Sequence, residues 1–505
     1  MYDGSMDPRS HASVAPDRPA LVLADTAEQV TWAEVEARSA ALASWFRAQG
    51  LRPGAVVLLA LANDVRWAEI AWACWRSGLV LAPVNIHLGP AELRSLVEIA
   101  DPAAVVASVD TVDAVAAATG AGVPRLVVGR GYDEALAATR ADPDLPDTMG
   151  GRLLFSSGTT GMPRPFREDP PGIPAAEVPL RYAAMMRDLG MVPGPGASPP
   201  VLFSAGPAYH TAPMGFLHAV HQLGGTVVTT RRFDAEGALA AIERFGVTHS
   251  LWVPTMFVRL LRLPDPVRSR YDLHTHRVAV HGAAPCPPEV KRALMEWWGP
   301  IVHEYYGSSE GYGRTSIGPQ EWLAHPGAVG TPKGGTVRIT DERGRDLAVG
   351  ETGRVWLVRS DAPEPVRDRD GAADLASVPG WGWAGDLGRV DADGYLYLSG
   401  REGQVIITGG VNVYPREIED VLALHPAVAD VAVLGVPDEE FGEQVRAVVV
   451  PLGTPAPGLA EDLIAHCRQR LARFKCPRAV DLVERIPRSE AGKILLGELR
   501  QAYDA

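Results

Sequence analysis

The chain has 505 residues, 46% of them hydrophobic and 22% charged, with 52 Gly and 43 Pro spread along it, which excludes a disordered tail protein or a fibre. Single cores stop growing at about 250–300 residues, so at least two lobes are expected. A formal charge of -13, from 48 basic and 61 acidic residues, argues against nucleic acid as the main partner.

The opening residues, with Asp3, Asp7, Arg9 and Asp17, have neither the basic start nor the apolar stretch of a secretory signal. No run approaches the roughly 18 apolar residues of a membrane span, so a cytoplasmic protein is expected. From residue 55, AVVLLAL reads as a buried strand, and Trp67, Ile70, Ala71, Cys74 and Trp75 follow at helical spacing before Gly78. The strand LVLAPV, a helix over Pro90–Ala100 and the strand AVVAS come next. Strand, helix, strand at this spacing implies parallel neighbours joined by crossovers, an α/β arrangement.

After a stretch rich in Pro and Asp near 142–147, the candidate strands are RLLF, GTVVTT, THSLWV, RVAV and IVHEYY. RLLF runs into SSGTTG, RVAV into HGAAP and IVHEYY into GSSEG. Open parallel sheets place ligand loops at such strand ends, and one site could draw on all three. The Pro- and Gly-rich segment from Pro165 to Pro200, with a short helical piece over Arg181–Leu189, reads as a long surface excursion. Beyond Gly330, TVRITDERGRDL, GRVWLV and the DADG turn before YLYLSG predict a β-rich antiparallel subdomain. After a hinge placed at 400–404, a helix over Pro415–Leu424, the strands DVAVLGV and QVRAVVV, and a helix over Leu459–Leu471 form one more compact block.

Cys74, Cys286, Cys467 and Cys476 are scattered without paired short spacing and read as reduced packing residues. His218 and His221 share a helix face in the manner of metal ligands, but no third ligand is in sight, so no zinc site is expected. Lysine occurs only at 291, 333, 475 and 493, so any Lys inside a motif is conspicuous.

Several loops carry chemistry. SSGTTGMPR at 156–164 offers hydroxyl and glycine amide donors followed by a guanidinium, the inventory for wrapping phosphate oxygens. It departs from the Walker pattern, so a P-loop NTPase is disfavoured. Tyr305, Tyr306, Gly307, Ser308, Ser309 and Glu310 combine an aromatic platform, small hydroxyls and a carboxylate, suited to a purine face, a phosphate oxygen and a hard cation such as Mg²⁺. Asp386 in a tight turn and Arg401 after YLYLSG supply an acceptor and a donor for a ribose diol.

These loops, with a late Pro487-Arg488-Ser489-Glu490-Ala491-Gly492-Lys493, make the chain resemble, from about residue 20 to its end, the adenylate-forming superfamily of acyl-CoA synthetases, peptide adenylation domains and luciferases. The likeness is strongest to bacterial fatty or polycyclic acyl-CoA synthetases. The resemblance implies an α/β fold. A large N-terminal domain, 1–399, would carry doubly wound sheets and the β-rich subdomain, and a small mobile α+β C-terminal domain, 405–505, would pivot at Gly403. It also implies two half-reactions: a carboxylate attacks the α-phosphate of ATP, giving acyl-AMP and pyrophosphate, and a thiol then displaces AMP.

By the same resemblance, Lys493 is the catalytic ammonium of adenylation. Ser156, Ser157, Gly158, Thr159, Thr160, Gly161 and Arg164 form the phosphate loop, with Thr159, Thr160 and Arg164 on the pyrophosphate side. Ser309 meets the α-phosphate, Glu310 holds Mg²⁺, and Asp386 and Arg401 hold the ribose. Gly282, Ala283 and Ala284 line the adenine slot with Tyr305 and Tyr306, while His210 orients the carboxylate. Tyr209, Trp252, Met256, Gly311 and Gly313 are assigned to an acyl pocket wide enough for a bulky apolar acid, and Gly409, Gly410 and Asn412 to a thiol channel.

Arg164 and Pro165 stand where relatives usually carry Lys and Gly, and no basic residue follows Gly492-Lys493. Thioester formation therefore follows less firmly than adenylation. The leading expectation is a ligase making CoA thioesters from ATP, CoA and an acid. Beside it stand an acyl-AMP ligase that loads a carrier protein or releases the adenylate in a secondary-metabolite pathway, and a catalytically impaired nucleotide-binding protein.

Overall fold

A computed structural model of the chain describes residues 7–120, 122–145, 147–156, 164–194, 196–307, 312–368, 370–408, 411–438, 441–488, 494–501 and 503. The chain divides into two compact units, Met1–Trp252 with Leu263–Ala279, and Val253–Arg262 with Val280–Ala505.

The first unit begins with β1 (Pro19–Leu23), β2 (Glu28–Thr31) and α1 (Trp32–Ala48). Thr31 Oγ1 accepts from the Glu34 amide while the Glu34 carboxylate reaches back to the Thr31 amide. That reciprocal cap fixes where α1 starts, and the helix buries Trp32, Val35, Leu42 and Phe46. Next come β3 (Val56–Ala60), α2 (Trp67–Trp75), β4 (Val80–Pro83), β5 (Ala104–Ser108), β6 (Arg125–Val128), β7 (Gly151–Ser156) and β8 (Arg164–Glu168). Their sheet runs β6-β5-β3-β4-β7-β8, all parallel except the last pair. A second layer of β9 (Val201–Ser204), α3 (Thr211–Gln222), β10 (Thr226–Thr229) and β11 (His249–Trp252) joins the opening strands in the order β11-β9-β10-β1-β2, antiparallel only between β1 and β2. The alternation of apolar runs with helical spacing thus yields the parallel neighbours it predicts.

The segment expected as a surface excursion from Pro165 instead starts within β8. Two features account for this. A Cβ on Gly151 would lie 2.1 Å from the Glu168 carbonyl oxygen, so glycine lets the strands close. Arg152 also sits opposite Glu168 in register, its Nε 2.7 Å from the carboxylate. The helical piece beyond is shorter than expected, Ala183–Asp188.

In the second unit come α4 (Pro254–Leu261), β12 (Val278–His281, across the division), α5 (Pro288–Trp298), β13 (Val302–Gly307), β14 (Arg314–Ile317), α6 (Pro319–Ala324) and β15 (Thr331–Lys333). The strands β13, β14 and β15 pair antiparallel. The β-rich subdomain is a four-stranded antiparallel meander of β16 (Gly335–Thr340), β17 (Gly353–Arg359), β18 (Trp381–Val390) and β19 (Leu396–Arg401). The last block holds β20 (Ile406–Thr408), β21 (Val411–Val413), α7 (Pro415–Ala423), β22 (Val428–Asp438), β23 (Gly442–Pro451), α8 (Leu459–Arg468) and β24 (Ala479–Leu482). Its sheet runs β21-β20-β23-β22, with β24 parallel to β23, over a core that includes Ile418, Leu422, Val433, Val449 and Leu463. The fold is mixed α/β, with a multi-sheet N-terminal part and a smaller C-terminal domain.

All four cysteines are buried and free. Among the described residues no helix is long and apolar enough to cross a membrane.

Gly330, whose carbonyl accepts from the Leu396 amide, has φ +100, and a Cβ there would lie 2.1 Å from the Ser316 carbonyl oxygen. Gly334 has φ +74 in open space. Both positions strain an L-residue, but only the first also clashes with backbone. Gly330→Ala is therefore expected to lower the thermal midpoint more than Gly334→Ala, which should cost only about 1 kcal/mol. Equal shifts for the two variants would contradict the steric explanation.

Candidate active site

The most complete cluster of predicted residues lies within the second unit. Asp386 on β18 and Arg401 on β19 are direct cross-strand partners, with Arg401 Nε 3.2 Å from Asp386 Oδ1. Tyr306, from the end of β13, donates its hydroxyl to Asp386 Oδ2 at 2.7 Å. The Trp383 indole N–H donates to the Asp386 backbone carbonyl at 3.1 Å, fixing the main chain behind the carboxylate. A carboxylate offers about four acceptor sites. Among the described residues two are filled, which leaves capacity for a diol.

On the adjoining loop, Gly282 is buried, Ala284 half-buried and Ala283 exposed. A Cβ on Gly282 would lie 2.9 Å from the Tyr305 ring, so only glycine lets that ring lie so close. Ala283 holds φ +68, a left-handed conformation costing a non-glycine residue on the order of 1 kcal/mol. Such strain clusters where a backbone is shaped for a ligand. Gly307 is exposed at the end of β13, and a Cβ there would meet the Gly313 carbonyl at 3.0 Å.

Beneath these loops is an ionic cluster that no motif announces. Lys291 on α5 is fully buried, and its Nζ donates to Glu304 Oε2 on β13 at 2.8 Å. Burial opposes the Glu304 charge, but Lys291, with His281 and Arg416 in support, holds the carboxyl below its ordinary range. His281 at the end of β12 lies 3.4 Å from the same oxygen, and burial pushes its imidazole down to about 3. The Lys291 ammonium also sits 4.9 Å from the centre of the Trp322 ring. Glu304 immediately precedes Tyr305, and His281 immediately precedes Gly282, so the pair anchors both faces of the expected adenine slot. The available signal was the scarcity of lysine, which singles out Lys291 as much as Lys493.

A second link reaches the expected hinge. Arg354 on β17 donates from Nε to Glu402 at 2.8 Å, and its guanidinium sits 4.6 Å from the centre of the Trp383 ring. Gly403 follows in a short 3-10 turn, Glu402–Gln404, with ordinary φ and nothing within 4 Å of an added Cβ, so nothing in this conformation demands glycine there. Asn412 is exposed on β21.

In the first unit, His210 is the residue before α3, its ring 4.9 Å from that of the buried Tyr209. Trp252 is buried, its indole N–H donating to Ser250 and its ring 5.3 Å from Phe203. Met256 is buried on α4 of the second unit. Both Trp252 and Met256 are core residues here. His221 meets the Trp72 indole N–H through Nδ1 and the Ala20 carbonyl through Nε2, and His218 stacks on Trp75 at 4.0 Å. The strands β7 and β8 bracket the expected phosphate loop, with Ser156 opposite Arg164. Ser157, Gly158, Thr159, Thr160, Gly161, Ser308, Ser309, Glu310, Gly311, Gly409, Gly410 and Lys493 lie outside the described residues, as do the side chains of Ser156 and Arg164.

Comparison with known proteins gives a family model described as AMP-binding enzyme over residues 9–362, and one described as AMP-binding enzyme C-terminal domain over residues 417–493. Feruloyl-CoA synthase from Amycolatopsis sp is 32% identical over 508 residues, covering 98% of each chain. A fatty acid–[acyl-carrier-protein] ligase from Streptomyces coeruleorubidus is 31% identical, over 98% of this chain and 95% of its own. The solved structure of o-succinylbenzoate CoA synthetase from Bacillus subtilis, in complex with its acyl-adenylate intermediate, matches with a TM-score of 0.79 at 25% identity, over 99% of this chain and 98% of that one.

The buried pair makes a stability prediction. Lys291→Met strands the Glu304 carboxylate and is expected to destabilise by about 3–5 kcal/mol, whereas the double variant Lys291→Met/Glu304→Leu should recover most of the loss. Thermal unfolding of the three proteins checks this. A double variant no better than the single one would contradict the reading.

Proposed function

From the premise that this chain belongs to the AMP-binding enzyme family, we propose that it activates a bulky hydrophobic carboxylic acid as its acyl adenylate and passes the acyl group to CoA. It is an adenylate-forming ligase; ATP-dependent joining of an acid to CoA is its broad activity, and the nature of the acid is our reading. The observation that carries the reading is the Tyr306–Asp386–Arg401 cluster beside Gly282 and Tyr305. It presents a fixed acceptor for a ribose diol next to a flat, glycine-lined aromatic surface suited to a purine.

In this reading a carboxylate oxygen of the acid attacks the α-phosphorus, the bond to the β-phosphate breaks, and pyrophosphate leaves. The CoA thiol then attacks the acyl carbon, AMP leaves with the bonding electron pair, and the thiol proton passes to solvent. Asp386 and Arg401 act by binding and orientation, which turns a collision into a positioned step. Lys493 is assigned the charge building up on the carboxylate and bridging oxygens, and His210 the orientation of the incoming carboxylate. The loop 156–164 is assigned to the departing pyrophosphate and Glu310 to the Mg²⁺ that accompanies ATP. Relatives named for feruloyl and fatty-acid substrates support an apolar acid. The absence of an acidic residue in the segments 205–215 and 252–257 argues against an α-amino acid.

A second reading, delivery to a carrier protein, is favoured by the relative that loads an acyl carrier protein. Measuring CoA consumption against carrier acylation separates the two, and a carboxylic-acid library screened by pyrophosphate exchange identifies the substrate class.

Two substitutions test the assignment. Lys493→Ala should cut acid-dependent pyrophosphate exchange by at least about 10²-fold while ATP binding persists, because the charge acts mainly in the transition state; exchange near the wild-type rate would remove Lys493 from the chemistry. Asp386→Ala should raise the KM for ATP by about tenfold or more, with a smaller change in kcat, since it removes ground-state binding. An unchanged KM would take the ribose away from Asp386.

A further inference from the structure

Away from these loops, the first unit contains a cavity of about 140 Å³ at the root of the β7–β8 pair, where α2 and α3 also contribute. Cavities of about 150 Å³ hold a benzene-sized molecule, so this one admits roughly six heavy atoms. Its lining mixes the apolar Trp75, Met149 and Met214 with the polar and charged Arg152, Arg181, Glu168 and His218, the last stacked on Trp75.

The charges there do not cancel. Arg152 Nε lies 2.7 Å from Glu168 Oε2 and Arg181 Nη2 lies 2.9 Å from the same oxygen, so two guanidiniums share one carboxylate. Donors remain unused. Arg152 Nη1 and Arg181 Nε are buried without a hydrogen-bond partner among the described residues; Nε2 of His218, a residue 3% exposed, is likewise unpartnered and donates in the tautomer that carries its proton there. Burial pushes the His218 imidazole down to about 3, so the ring is neutral and adds no repulsion to the two arginines. Orphaned buried donors are costly and are usually explained by a missing partner. A net positive lining with spare N–H groups, set among apolar side chains, matches an anionic head on a short hydrocarbon body.

We propose that this cavity is a second ligand site, distinct from the adenylate cluster, that takes a short-chain carboxylate, with its head against Arg152 and His218 and its chain against Trp75, Met149 and Met214. The site belongs to the first unit alone and does not rest on the ligase reading. It bears on that chemistry through β7 and β8: Arg152 and Glu168 stand opposite each other at one end of the pair, and residues 157–163 connect its other end. A carboxylate bound at Arg152 would therefore sit at the root of β7, one of the two strands that carry the expected phosphate loop.

The test is direct binding to the full chain, by isothermal titration and ligand-observed NMR, with butyrate and its neutral isostere butyramide. Arg152→Met removes the main donor while leaving Glu168 paired to Arg181, and Met214→Trp fills the cavity without touching the charges. Expected are saturable butyrate binding in the millimolar range, at least about tenfold weaker binding of butyramide, and at least about tenfold loss in each variant. If Arg152→Met does not fold, Met214→Trp decides alone. Equal affinity for butyrate and butyramide, no binding of either, or butyrate binding unchanged in the variants would overturn the proposal.

Discussion

An ammonium group with no access to solvent, joined to a carboxylate almost as deeply buried, sets the geometry around which the second unit is arranged. Lys291 and Glu304 are each strongly destabilising alone in that environment and tolerable only together. Their 2.8 Å contact therefore fixes the register of α5 against β13. The residues next to Glu304 along β13 inherit that register. Tyr305 lies over Gly282, Tyr306 reaches Asp386, and Asp386 meets Arg401 across the β18–β19 pair. Apolar packing of similar volume would stabilise the unit as well, but would tolerate sliding; a charged pair does not.

The fold is largely legible where the sequence is periodic. Buried parallel strands are continuous apolar runs, and AVVAS appears as Ala104–Ser108 because such a run, bounded by turn residues, has few other ways to be buried. The helix Pro90–Ala100 is equally plain, with Pro at its first turn. Legibility fails where structure depends on partners far away in sequence. The strand Arg164–Glu168 contains two arginines and a proline and exists because Arg152 and Gly151 receive it. Likewise, β1 and β2 sit too close to the start of α1 for period alone to separate them.

At the site, the residue types named by motif are joined by contacts that no motif states. Asp386 and Arg401 are separate turn signatures in the sequence, yet they are paired in register, with Tyr306 as a third member. The buried Lys291–Glu304 pair escapes motif reading because a lysine on a helix and a glutamate on a strand carry no local signal of meeting; only the rarity of lysine points there. Trp252 and Met256 show the converse. Large apolar residues near a ligand loop are as readily core as pocket, and both are buried.

These contacts divide the labour within the site. One carboxylate, braced by a phenol, a guanidinium and an indole that holds its backbone, is fitted to grip a sugar, while the chemistry is assigned to groups on other loops. The most direct measurement is a crystal structure of the enzyme with a non-hydrolysable acyl-adenylate analogue. Both ribose hydroxyls are expected on the Asp386 carboxylate, with the adenine against Tyr305 and the Gly282 backbone. A nucleoside bound elsewhere, with Asp386 still occupied only by Tyr306 and Arg401, would contradict that assignment.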